Sequence, residues 1–95
     1  MSAEVFLDAR LMEPPEPLEG AMAALVTLTP GQFFHMQHRM APRMLYPQLA
    51  AMGLTEKTLQ LSNDEVHIVV WAAADPAAAA AAEQCCAQLS GDIPS

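Results

Sequence analysis

Basic side chains are scarce in this sequence. Four Lys and Arg stand against eleven Asp and Glu, for a net charge of −7. Nucleic acid and anionic membranes would both be repelled, so neither is expected as a partner, and the charge reads most simply as a solubility device. Glycine is sparse too, with four residues. There is no phosphate-cradling glycine loop, no HExxH helix and no Ser-His-Asp order. Nothing pairs the aspartates and histidines at catalytic spacing, so an enzyme is not expected. The two cysteines are neighbours, Cys85 and Cys86, which excludes an intrachain staple across the fold. Reduced thiols in a bacterial-type cytoplasm are the expectation. No apolar stretch approaches the roughly 20 residues of a membrane span, and no basic-then-apolar leader opens the chain.

What is abundant is hydrophobic content, at 53% over 95 residues. That exceeds what a disordered chain carries and suffices for one domain. Much of it is alanine, so the core must come from Leu, Val, Ile, Phe and Met side chains. Val5-Phe6-Leu7, ending at Asp8, reads as a first strand. Pro14, Pro15 and Pro17 forbid a strand and suit the approach to a helix, with Glu16 and Glu19 favoured near its positive end. Leu18, Met22, Leu25 and Leu28 recur at helical spacing, and Thr29-Pro30-Gly31 ends the segment. Gln32 to His38 reads as a second strand. Phe34, Met36 and His38 fall on one face of it, and Phe33, His35 and Gln37 on the other. A second helix follows Pro42 and runs to about Met52, with Leu45, Leu49 and Met52 as its stripe, Pro47 in its first turn and Gly53 as its stop. Thr55–Leu61 and Glu65–Trp71 read as strands joined by Ser62-Asn63-Asp64.

This order predicts an α/β (α+β) two-layer sandwich, βαβαββ, with both helices on one face of a mixed sheet. Asp75-Pro76 then starts an Ala-rich helix with an N-cap and a proline at the first helical position, ended by Gly91 and Pro94. The domain is expected over residues 1–74, with residues 75–95 packed on it or on a neighbouring subunit. The fourth strand is apolar on both sides: Val66, Ile68 and Val70 alternate with His67, Val69 and Trp71. The face carrying Phe33, His35, His67 and Trp71 should therefore be covered by the Ala-rich helix or serve as an interface.

Leu7-Asp8-Ala9-Arg10 followed by Pro15-Glu16-Pro17 is similar to the signature of the TusA/SirA-like sulfur carriers, in which Leu-Asp-x-Arg ends a strand and Cys-Pro-x-Pro opens the first helix. The resemblance implies the same architecture, which is also like the C-terminal domain of translation initiation factor 3. Here Pro14 stands where the carrier cysteine would be. A second segment, His38 to Leu49, resembles the His-x-x-x-Pro-x-x-Leu-Tyr-Pro-x-Leu pattern of an uncharacterised TusA-related domain of unknown function. That group also carries Leu-Asp-x-Arg followed by Glu-Pro-Pro-Glu-Pro, which Glu13 to Pro17 match. Ala41 and Met44 depart from its usual acidic residue and proline. The group implies a fold, and its members occur alone, in tandem or joined to hemerythrin-like domains. It implies no mechanism.

Three chemistries remain to be weighed. Sulfur carriage would need a thiolate at the helix N-terminus, which Pro14 removes. Cys85 and Cys86 lie in another helix with no basic neighbour in sequence, so inert, partly buried cysteines are expected. His35, Met36, His38, Met40 and Met44 form a His/Met cluster suited to copper(I) or haem iron. However, His35 and His38 should face opposite sides of the sheet, while Met36 and Met44 should pack in the core. No metal and no cofactor is therefore expected, the alternative being a site at His35, His38 and Met40. His38 with Arg39 and Arg43 would make a small anion pocket near the second helix, or His38 simply orders the connection. The expected function is a non-catalytic binding or regulatory domain acting through a protein partner or small ligand, with a homodimer as one arrangement. Candidate binding residues are Arg10, Pro14, Glu16, His38, Arg39, Arg43 and Tyr46. The competing class is a metal, haem or sulfur carrier.

Overall fold

The computed structural model describes residues 3–91. Its elements run β1 (Glu4–Asp8), α1 (Glu16–Leu25), β2 (Phe33–His38), α2 (Leu45–Ala51), β3 (Leu54–Ser62), β4 (Glu65–Ala72) and α3 (Pro76–Ser90). The strands form one sheet in the order β1-β2-β4-β3. β1 pairs parallel with β2, and β4 lies antiparallel between β2 and β3. The expected α/β fold is thus what the chain forms. The parallel β1–β2 pair is what the α1 crossover requires.

Period-two alternation on β2 and β4 sorts side chains to two faces. Phe34, Met36, Val66, Ile68 and Val70 point to one face and pack with Ala21 and Leu25 of α1 and Leu45 and Leu49 of α2. Phe33 and Val69 point to the other, where they meet Ala82 and Cys86 of α3, with Trp71, Leu59, Ala81, Cys85 and Leu89 around them. α3 therefore adds a layer on the side of the sheet that α1 and α2 leave open. Its buried stripe is Ala78, Ala82 and Cys86, one per turn, and alanine lets the helix axis lie close to the strands.

The helix ends follow local chemistry. Asp75 Oδ1 accepts the Ala78 N–H at 3.1 Å as an N-cap, and Oδ2 accepts the Gly31 N–H at 2.8 Å, joining the start of α3 to the loop before β2. Those two N–H groups hold the Asp75 carboxyl below its ordinary range, Gly31 foremost. Gly91, at φ 70, closes the helix in the left-handed conformation. The expected stop at Pro94 lies outside the described residues. α2 is held to seven residues, with Pro47 in its first turn, by Pro42 before it and Gly53 (φ 72) after it.

Two methionines sit elsewhere than their spacing predicts. Met44 is 73% exposed and Met52 39% exposed, whereas Met36 is fully buried. α2 makes only two turns, so its stripe is satisfied by Leu45 and Leu49 alone. Met44 is the residue before the helix and points away from the core, and Met52 is its C-cap.

Candidate functional site

The β2–α2 connection leaves the sheet at His38 and passes through Met40, Pro42 and Arg43 before α2 begins. It runs beside the approach to α1, where Pro14 and Pro17 stand. Between them lies an open cleft of ≈ 650 Å³. Its walls include Pro14, Pro17 and Leu18 from the α1 side, and Met40, Met44 and Leu45 from the α2 side. Arg39 and Arg43 stand at it, and His38 lines it. Met40 and Met44 are 64% and 73% exposed, a flexible thioether lining of the kind that adapts to varied apolar shapes. Among the described residues no Asp or Glu lines the cleft, although the chain has eleven.

His38 itself is buried, and its Nδ1 accepts the Arg39 N–H at 2.8 Å. Burial, aided by the Arg39 charge, pushes its pKa below the ordinary histidine value. The neutral ring therefore orders the connection. Of the candidate binding residues, the structure brings Pro14, His38, Arg39 and Arg43 to this cleft. Tyr46 is turned to β3, where its hydroxyl meets Thr58 Oγ1 at 2.7 Å. Glu16 is exposed in the first turn of α1. Arg10 grips Asp8 through two side-chain hydrogen bonds of 2.9 and 2.7 Å. That pairing holds the Asp8 carboxyl down at about 2.

On the opposite face a chain of four side chains crosses the sheet. Glu4 Oε2 lies 2.5 Å from His35 Nδ1, His35 Nε2 lies 2.7 Å from His67 Nδ1, and His67 Nε2 lies 2.8 Å from Glu65 Oε2. Both rings are buried beneath α3 and tilted 35° to one another. Three contacts need three ring protons, and two neutral imidazoles carry two. Full satisfaction therefore takes either a third proton, shared by the pair between its two carboxylates, or a cation in place of one proton. Cys85 Sγ stands 4.0 Å from His35 Nδ1.

The sequence places His35 and His67 on one face with Phe33 and Trp71, but not with Glu4 or Cys85. Those partners are 31 and 50 positions from His35, a pairing that only the tertiary fold creates. The alternative metal set of His35, His38 and Met40 is not assembled: His35 faces α3, while His38 and Met40 line the cleft on the other side. Burial, with Glu4 and Cys86 adding to it, pushes the Cys85 thiol up to about 11, and burial raises Cys86 as well. Thiols so raised are protonated near neutrality and poor nucleophiles.

Residues 6–72 match the model of the uncharacterised conserved protein family DUF2249. The chain belongs to that family. The DUF2249 match spans both walls of the cleft and all three histidines, His35, His38 and His67. It stops before Asp75 and starts after Glu4, so α3, Cys85 and Glu4 fall outside it. No curated protein and no solved structure matches the chain. No helix among the described residues is long and apolar enough to cross a membrane.

Proposed function

We propose that this DUF2249 domain is a non-catalytic binding module. Its ligand site is the Pro14–Met44 cleft, and its ligand is a small molecule or peptide segment with an apolar body and an anionic group. The observation that carries this reading is the local inversion of charge. A chain of net charge −7 keeps two of its four basic residues, Arg39 and Arg43, at one apolar cleft and, among the described residues, no carboxylate there. Exposed methionine thioethers supply adaptable apolar contact, and guanidinium groups supply charge-assisted hydrogen bonds to carboxylate, sulfonate or phosphate oxygens. The resemblance of Leu7 to Pro17 to the sulfur carriers supports the same position, since Pro14 takes the place of their thiol and lines the cleft. With proline there and both cysteines on the other side of the sheet, the reading is of ligand capture without group transfer.

The test uses 1-anilinonaphthalene-8-sulfonate as probe, with Met methyl groups observed by NMR. The methyl signals of Met40 and Met44 are expected to shift on binding. An Arg39→Glu/Arg43→Glu variant should bind at least about tenfold more weakly, a loss of about 1.4 kcal/mol. The reading fails if an uncharged anilinonaphthalene binds equally well at these methyls, or if the probe settles at Trp71 instead.

A further inference from the structure

We propose that Glu4, His35 and Cys85 form a binding site for a divalent cation of the zinc class, with His67 and Glu65 as its hydrogen-bonded support. The three donors come from β1, β2 and α3, and their ligand atoms all lie within 4.8 Å of one another. Zinc bonds of about 2.0–2.3 Å to N, O and S place tetrahedral donor atoms about 3.3–3.7 Å apart. The observed separations of 2.5 Å for Glu4–His35 and 4.0 Å for His35–Cys85 bracket that range. The Glu4 side chain is 37% exposed and the His35 side chain 7%, so adjustment to metal distances would fall on Glu4. A carboxylate, an imidazole and a thiolate form the mixed hard-and-soft set that zinc accepts and magnesium or calcium does not.

The support is what distinguishes this cluster from a chance meeting of polar groups. A metal-bound imidazole is generally oriented by a hydrogen bond from its other nitrogen to a buried acceptor. Here His35 Nε2 faces His67 Nδ1, and His67 Nε2 faces Glu65. A cation on His35 Nδ1 resolves the proton arithmetic of the chain. Each ring then carries one proton, on Nε2, and each proton has an acceptor. The exchange also balances in charge. The Cys85 thiol proton and the proton between Glu4 and His35 leave to buffer, and two negative ligands meet a +2 ion. A shallow cleft of ≈ 290 Å³ beside Glu4 and Cys85, flanked by Gln84 and Gln88, gives an entry path and room for a fourth ligand from solvent.

Glu4 and Cys85 lie outside the family match and His35 inside it, so the site belongs to this chain's own arrangement of strand, domain and added helix. It is independent of the cleft on the other face.

The test is titration of tag-free, phosphine-reduced protein with Co(II), then with Zn(II). One equivalent of Co(II) is expected to give tetrahedral visible bands and a thiolate charge-transfer band, both abolished by one equivalent of Zn(II). Cys85→Ser should lose the charge-transfer band, and Glu4→Gln should weaken binding at least about tenfold. Cys86→Ala should keep the band. In the Zn(II) form, nitrogen-15 NMR should show His35 solely as its Nε2–H tautomer. No thiolate band in the folded wild type, or a band that survives Cys85→Ser and vanishes with Cys86→Ala, overturns the proposal. Unchanged His35 ring signals on adding Zn(II) overturn it equally, even for a variant series that folds poorly.

Discussion

Phe34 and His38 occupy the same strand and the same face, yet their side chains serve different ends. Phe34 is fully buried among both helices and β4. Phe34→Ala should cost about 3–5 kcal/mol, read by urea denaturation, because the surrounding helices can collapse only partly into the space. His38 is held neutral by burial and by Arg39, so its folded pKa lies below its unfolded value near 6.5. The unfolded chain then binds the proton first. This group's contribution is full above about pH 6.5 and is lost as pH falls through the folded pKa. His38→Gln should flatten that acid-side decline in melting temperature, and an NMR titration of His38 should give a midpoint below 6.5. Single positions were legible in the sequence to the extent that alternation governs them. Phe34, Met36 and Ile68 fell to the core as their parity requires. Met44 did not, because helical spacing says nothing about a residue one step before the helix starts.

At the scale of elements, prolines and glycines made the fold readable. Pro15 and Pro17, Gly53, and the Asp75-Pro76 and Gly91 pair mark where helices begin and end. Gly20, inside α1, is the exception, a helix-weakening residue with no turn to make. A Cβ there would meet the Leu7 Cδ2 methyl at 3.2 Å, and a leucine tip can give by a few tenths of an ångström. Gly20→Ala should therefore stabilise the fold by about 0.5 kcal/mol, less than the full helix-propensity gain, as measured by chemical denaturation. Asp75 ties α3 both to itself and to Gly31. Asp75→Ala should lower the melting temperature at neutral pH. The difference from wild type should close in acid, as the depressed carboxyl of the wild type protonates. What the sequence could not supply was the meeting of β1 with α3 across His35. Pairings over 31 and 50 positions depend on the sheet order, and hydrophobic patterns leave that order open.

Seen whole, the molecule is a sheet dressed differently on its two sides. One side is packed by Phe34 and Met36 of β2 and Val66, Ile68 and Val70 of β4 against leucines of α1 and α2, and the other is closed by a helix of small residues. Ending the chain after Ala74 should expose Phe33, Val69 and Trp71 together. The expected result is self-association at micromolar concentration, visible as a mass increase by light scattering, with far-UV circular dichroism losing little beyond α3. A truncated chain that stays monomeric would show that this face is tolerated bare. The alanine run has a consequence of another kind. Between Ala77 and Ala82 only Ala78 and Ala82 are buried, and neighbouring alanines are nearly interchangeable, so the run carries little information in its composition. Its length is another matter. Asp75 fixes one end against Gly31, and Cys85 meets His35 at the other. One alanine more or fewer would turn everything after it by roughly 100° and shift it about 1.5 Å along the axis. The segment works as a measured spacer. Point substitutions on its exposed side should pass unnoticed, whereas a single-residue insertion should swing the thiol away from the histidine pair while leaving the helix intact.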